Sequence, residues 1–106
     1  MAHRRRAEVF HAISDPTRRR LLDLLGKGER PVTVLAAPFA MTRPAISQHL
    51  RILRQAGLVR ERRAGRERRY RLCAAPLRQV YDWVAHYERF WRTKLAALGE
   101  HLRRNP

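Results

Sequence analysis

Apolar residues recur along this chain at helical spacing in several separate stretches, and the polar positions between them are as informative as the apolar ones. The clearest stretch covers residues 43–56. At 100° per residue, Ala45, Ile46, Leu50, Ile52, Leu53 and Ala56 fall on one arc. Arg43, Ser47, Gln48, Arg51, Arg54 and Gln55 fall on the other. Thr42 is placed to cap this helix, Pro44 lies in its first turn where a missing N–H is harmless, and Gly57 supplies a left-handed stop. Upstream, residues 7–13 predict a short helix anchored by Phe10 and Ile13, preceded by a frayed basic arm over 1–6. Asp15 and Pro16 then cap and open a second helix carrying Leu21, Leu22, Leu24 and Leu25, which Gly26 or Gly28 ends. A short third helix over 34–39 is cut by Pro38.

Beyond Gly57 the pattern shifts to strands. Residues 59–64 and 66–72 flank Ala64-Gly65, which predicts a hairpin with Val59, Tyr70 and Leu72 turned inward. Arg62, Arg63, Arg66, Arg68 and Arg69 crowd its tip and outer face. Pro76 opens a last helix running to about Leu102, with Val80, Tyr81, Val84, Trp91, Leu95, Leu98 and Leu102 on one arc. Trp83, Tyr87 and Phe90 widen that arc beyond what one small domain covers by itself, which predicts a partner surface. The expected partner is a second copy, a homodimer meeting through Phe10, Trp83, Tyr87, Phe90, Trp91, Leu95 and Leu98. The expected fold is mainly α with a small β-hairpin, a winged helix-turn-helix of order α-α-α-α-β-β-α, dimeric through its first and last helices. It forms one domain, 1–106, with the helix-turn-helix at 33–57, the wing at 59–72 and the dimerisation helix at 76–102.

Charge sharpens this picture. The formal net charge is +15, and +8 of it lies in residues 42–72. All but Lys27 and Lys94 of the basic residues are arginine. A bias toward arginine explains the choice of Arg over Lys but not the scarcity of acids in this segment. A polar helix face of Arg, Ser and Gln with no acid offers the donors that contact phosphates and base edges, so double-stranded DNA is the expected partner. The residues expected to contact it are Thr42, Arg43, Pro44, Ser47, Gln48, Arg51, Arg63 and Arg66. Gln48 suits adenine, Arg43 suits guanine or phosphate, and Pro44 offers only apolar contact. Arg51 and Arg54 suit phosphate, and Arg63 and Arg66 at the wing tip suit a narrow minor groove. His49 falls among Ala45, Leu53 and Ala56 and is expected to be half-buried support rather than a reader. Arg18, Arg19 and Arg20 open the second helix against its dipole, which points to phosphate as their partner.

Other chemistry is thin. Cys73 is the only cysteine, so no intramolecular disulfide forms; it reads either as a thiol in a basic neighbourhood or as a small packing residue. No nucleophile with a base, paired carboxylates or phosphate-cradling loop appears, so no enzyme activity and no cofactor are expected. No apolar run approaches a membrane span and no signal-type block opens the chain, so a cytoplasmic protein without a membrane partner is expected.

Ser14-Asp15-Pro16-Thr17-Arg18, Ser47-Gln48-His49-Leu50, Leu53 with Ala56-Gly57-Leu58-Val59, and the wing pattern from Arg62 to Leu72 together resemble the ArsR/SmtB family of small winged-helix repressors. The resemblance covers about residues 7–102. It implies a homodimeric transcriptional repressor occupying a palindromic operator, with reading positions carried over onto Arg43, Pro44, Ser47 and Gln48. The family's thiolate pair, a Cys-x-Cys in the third helix, is replaced by Val34-Leu35-Ala36-Ala37, so ligands for soft metals are missing. Asp82 and His86 sit four apart with His101 farther on, too few for a site within one chain, and no metal is expected. The alternatives are a metal- or ligand-responsive sensor using last-helix residues and a non-specific nucleic-acid-binding protein.

Overall fold

The computed structural model describes residues 2–105, with side chains from Glu8 onward. The chain runs α1 (Ala2–Ile13), α2 (Pro16–Leu25), β1 (Arg30–Pro31), α3 (Val32–Ala36), α4 (Arg43–Gln55), β2 (Val59–Ala64), β3 (Glu67–Leu72), a 3-10 turn (Ala75–Leu77), α5 (Arg78–Ala85) and α6 (Glu88–Arg104). The strands form one antiparallel sheet of order β1-β3-β2, with Val59 opposite Leu72, Glu61 opposite Tyr70, and Arg30 opposite Tyr70 on the other side.

Each helix of the body contributes one apolar stripe to a shared core. Val9 and Ala12 come from α1, Leu21, Leu22 and Leu25 from α2, Leu35 from α3, and Ile46, Leu50 and Leu53 from α4. Ala56, Leu58, Val59 and Tyr70 close it from the side of the hairpin. The α4 residues recur at steps of three and four, so one face is buried and the other stays in water. Local signals set the ends. The Asp15 carboxylate accepts from the backbone N–H of Thr17 at 2.8 Å and of Arg18 at 3.1 Å, capping α2. Thr42 Oγ1 accepts from Ala45 N at 3.3 Å and caps α4. Gly57 has φ 77° and Gly65 has φ 64°, the left-handed backbone that turns the chain out of α4 and around the hairpin tip.

Four expectations need correction. The basic arm over 1–6 is instead the opening of α1, which runs from Ala2. Ala and Arg are strong helix formers and no Gly, Pro or cap separates them from residue 7. Met1 and the side chains of residues 2–7 lie outside what the structure describes. The third helix is Val32–Ala36 rather than 34–39, because Pro31 precedes it with an extended backbone and Pro38 has no N–H with which to continue the helical ladder. The strand β1 adds an edge to the expected two-stranded hairpin, and two residues with a proline are too short a signal to read from alternation. The single helix over 76–102 is a 3-10 turn and two helices, broken at His86–Tyr87. Tyr87 has φ −101° and ψ 5°, and its N–H bonds to Val84 O at 2.9 Å in a tightened last turn. Neither Pro nor Gly marks this break. It falls where α5, seated on α1, gives way to a helix that leaves the body.

That departure dominates the shape. The principal extents are 62 × 37 × 21 Å and the radius of gyration is 18.2 Å, against about 13 Å for a compact chain of this length. α6 projects as an arm with Phe90, Trp91, Leu95, Leu98 and Leu102 all more than half exposed. Among the described residues, no helix is long and apolar enough to cross a membrane.

Substituting Gly57 by Ala forces a side chain into left-handed backbone, with its Cβ 3.6 Å from Pro76 Cγ. The expected cost is about 1–2 kcal/mol, read as a lower urea midpoint with an unchanged denaturant slope.

Candidate nucleic-acid interface

The outward face of α4 presents Arg43, Pro44, Ser47, Gln48 and Arg51, all exposed, with the capping Thr42 exposed at its start. Ile46, Leu50 and Leu53 are buried beneath them, so the polar face is held rigidly against the core. At the far end of the hairpin, Arg63 and Arg66 are exposed on either side of Ala64-Gly65. None of Arg43, Arg51, Arg63 and Arg66 has an ion-pair partner among the described residues. The fold thus leaves two basic surfaces free, one on a helix and one on a hairpin tip.

Other arginines are taken up by the fold. Arg18, Arg19 and Arg20, expected to meet phosphate, do not face outward as a group. Arg18 is 6% exposed, the one buried charged side chain among the described residues. Its Nε donates to Ala12 O at 2.7 Å and its Nη2 to His11 O at 3.2 Å, and its Nη1 lies 3.1 Å from His49 Nδ1. A guanidinium can only donate, so Nδ1 accepts and the ring proton is assigned to Nε2. Arg19 Nη1 donates to Ile13 O at 2.8 Å, and the Arg20 guanidinium lies 5.0 Å from the centre of the Phe39 ring. The physical reason for the first two is the negative end of the α1 dipole: its last carbonyls need donors, and Arg18 and Arg19 supply them across the Ser14–Asp15 turn. His49 is half-buried and supports the helix, as its place on the wheel implied.

Two acids that sequence reasoning passed over organise the wing. Glu29 accepts from Arg62 Nε at 2.6 Å and Nη2 at 2.9 Å, a two-pronged pair, and from Arg69 Nε at 3.3 Å. The Arg62 hydrogen bond, reinforced by the Arg62 and Arg69 charges, holds the Glu29 carboxyl down from its ordinary 4.5 to about 2. Glu61 accepts from Arg54 at 2.7 Å, Arg68 at 2.9 Å and the Tyr70 hydroxyl at 3.1 Å. Burial, with Glu61 beside it, pushes the Tyr70 phenol above its ordinary value and keeps it a donor. Arg54, expected to grip phosphate, is therefore engaged within the protein. The signal that would have found Glu61 is its place at strand spacing from Val59, an acid on the inward face of an arginine-rich hairpin.

The apolar residues expected at a dimer face divide into two groups. Phe10 is half-buried and meets Trp83 edge-to-face at 5.7 Å, and Trp83 meets Tyr87 at 5.6 Å. Phe90 and Trp91 pair with each other at 5.6 Å on α6, with Leu95 and Leu98 following on the exposed arm. The candidate metal residues are not assembled. Asp82 pairs with Arg78 at 2.9 Å, His86 packs beside Tyr87, and no three metal-ligating side chains converge among the described residues. Cys73 is half-buried at the end of β3, with its backbone N–H on Leu58 O at 2.7 Å.

Known proteins similar to this chain are transcriptional regulators. Residues 13–62 match the family model described as a helix-turn-helix domain. The chain is 40% identical over 79 residues to the transcriptional repressor SdpR of Bacillus subtilis (strain 168), spanning 74% of this chain and 88% of that one. Among solved structures, an ArsR family transcriptional regulator superposes with a TM-score of 0.75 at 32% identity, covering 84% of this chain and 92% of that one. The solution structure of a homodimeric winged helix-turn-helix DNA-binding domain from Mycobacterium bovis superposes with a TM-score of 0.67 at 31% identity, covering 81% and 82%.

Two stability predictions follow from the internal pairs. Arg18→Ala leaves the His11 and Ala12 carbonyls without their donors and lowers stability by about 3 kcal/mol, while Arg18→Lys, a point charge with fewer directed donors, recovers only part of it. Chemical denaturation at fixed protein concentration checks both. Glu29 has a depressed pKa, so its contribution is complete above pH 4.5 and is lost as pH falls toward about 2. The gap in urea midpoint between wild type and Glu29→Gln should narrow over that window; a gap that stays constant would refute the pairing.

Proposed function

The chain belongs to the ArsR/SmtB family of winged helix-turn-helix transcriptional regulators, and we propose that it is a homodimeric repressor that reads a palindromic operator in double-stranded DNA. The observation that carries this reading is the exposed, acid-free face of α4, where Arg43, Pro44, Ser47 and Gln48 sit on a helix locked to the core. In this reading α3 and α4 are the helix-turn-helix, and the first turns of α4 enter the major groove. Gln48 and Arg43 contact base edges and Thr42 and Arg51 contact the backbone. The hairpin is the wing, and Arg63 and Arg66 reach an adjacent minor groove or its phosphates. The domain acts in the cytoplasm, where it meets the chromosome.

A single copy reads too few bases for specificity, and the arm supplies the second. Phe90, Trp91, Leu95 and Leu98 lie on an α6 that its own body leaves uncovered, and Phe10, Trp83 and Tyr87 continue the apolar surface onto α5 and α1. Two copies joined by a two-fold axis through this face place their α4 helices about 34 Å apart, on successive major grooves. The similar winged helix-turn-helix domain from Mycobacterium bovis is homodimeric, which supports that arrangement.

Selection of bound duplexes from a random pool, with half-site spacing read from the recovered sequences, tests the whole reading. No enrichment of any sequence over random duplex would sink it in favour of non-specific binding. Gln48→Ala and Arg43→Ala are expected to relax base preference, each costing about 1–3 kcal/mol of discrimination. Arg66→Ala should weaken all sequences alike and flatten the salt slope by about 1. Leu95→Arg with Trp91→Arg should give a monomer in sedimentation equilibrium, together with loss of operator binding.

A further inference from the structure

Between α4 and the wing lies a cleft of about 260 Å³ lined by Ser47, Leu50, Arg51, Arg54, Glu61, Arg68 and their neighbours. It opens beside the helix face proposed to read DNA, and its lining holds a single acid, Glu61. Arg54 Nη1 sits 2.7 Å from Glu61 Oε2 and Arg68 Nη1 sits 2.9 Å from Oε1, one arginine on each carboxylate oxygen. The Tyr70 hydroxyl adds a third donor at 3.1 Å. The Glu61 side chain is only 18% exposed, whereas those of Arg54 and Arg68 are 49% and 59% exposed.

That asymmetry decides what the pairs do. Ion pairs with half-exposed arginines contribute little to stability. The same arginines, if released into a basic cleft beside DNA, would each neutralise a phosphate and strengthen binding to every sequence alike. Arg51, on the same wall and without an acid partner among the described residues, is available for that role. We propose that Glu61 is a specificity-determining residue, holding Arg54 and Arg68 off the DNA backbone so that affinity for arbitrary duplex stays low. The inference rests on the DNA-reading assignment above. It adds that affinity at this surface is deliberately limited by an internal carboxylate.

The test uses the whole chain and a random-sequence duplex of about three helical turns, with binding measured across a salt series. Glu61→Gln keeps the shape of the side chain and removes its charge. It should raise affinity for random duplex by roughly three- to tenfold at moderate salt and steepen the salt slope by about 1–2 per subunit. Adding Arg68→Gln to that variant should return the slope part of the way toward wild type. Arg68→Gln alone should leave the wild-type slope unchanged, because the arginine it removes is already engaged.

Glu61→Gln binding random duplex no more tightly, at an unchanged slope, would overturn the proposal, since it would leave Glu61 a structural clamp only. Flattening of the slope by Arg68→Gln alone would overturn it too, by showing that Arg68 already contacts phosphate. That second arm stands even if Glu61→Gln fails to fold, which circular dichroism reports. Failure of the underlying reading looks different: wild type would bind pool-selected and random duplexes equally, whatever Glu61→Gln does.

Discussion

A guanidinium buried at the meeting of three helices sets the geometry on which the rest of this protein depends. Removing a charge from water is expensive unless it is hydrogen-bonded in return. Arg18 offsets that cost with one bond from each of its three guanidinium nitrogens, to the last carbonyls of α1 and to the ring nitrogen of His49 on α4. One side chain of α2 thereby fixes where α1 ends and how α4 lies against it. The same α1 carries Phe10, on which Trp83 of α5 is seated. The surface proposed to join two copies and the surface proposed to read DNA are thus connected through short, directional contacts rather than through apolar packing alone. In a homodimer the spacing of the two reading helices depends on that connection.

The second constraint is electrostatic. A chain with a net charge of +15 cannot expose all of its arginines equally without binding polyanions indiscriminately. The fold sorts them. Arg18 and Arg19 end a helix, Arg62 and Arg69 converge on Glu29, and Arg54 and Arg68 converge on Glu61. Arg43, Arg51, Arg63 and Arg66 are left facing water. Two carboxylates therefore do more to define the basic surface than the many guanidinia around them. They also link the hairpin to the segment entering β1 on one side and to α4 on the other.

Much of this was legible in the residues. The two arcs of α4, the caps at Asp15 and Thr42, the stop at Gly57 and the turn at Gly65 are local rules, and neighbouring residues suffice to apply them. Three matters were not legible, each for a reason of distance. Arg18 and His49 are 31 positions apart, so their contact has no periodic signature, and three arginines at a helix start looked like a phosphate site. Glu29 and Arg62 are 33 apart, and only the β1–β3 pairing brings them together. The break at Tyr87 lacks a proline or glycine, because it arises from α5 being held on α1 while α6 is not.

What the sequence determined by itself is the inventory: which stretches are helix or strand, which helix face is polar and free of acid, and that the last third carries more apolar surface than one small body can hide. Those properties depend on periodicities of two and 3.6 residues and on single-residue backbone preferences, which act within a few positions. The tertiary structure decided which charges remain available. Whether an arginine stays open to water or is taken up by the fold depends on partners from 6 to 40 positions away, and charge interactions are set by distances of a few ångströms rather than by order along the chain.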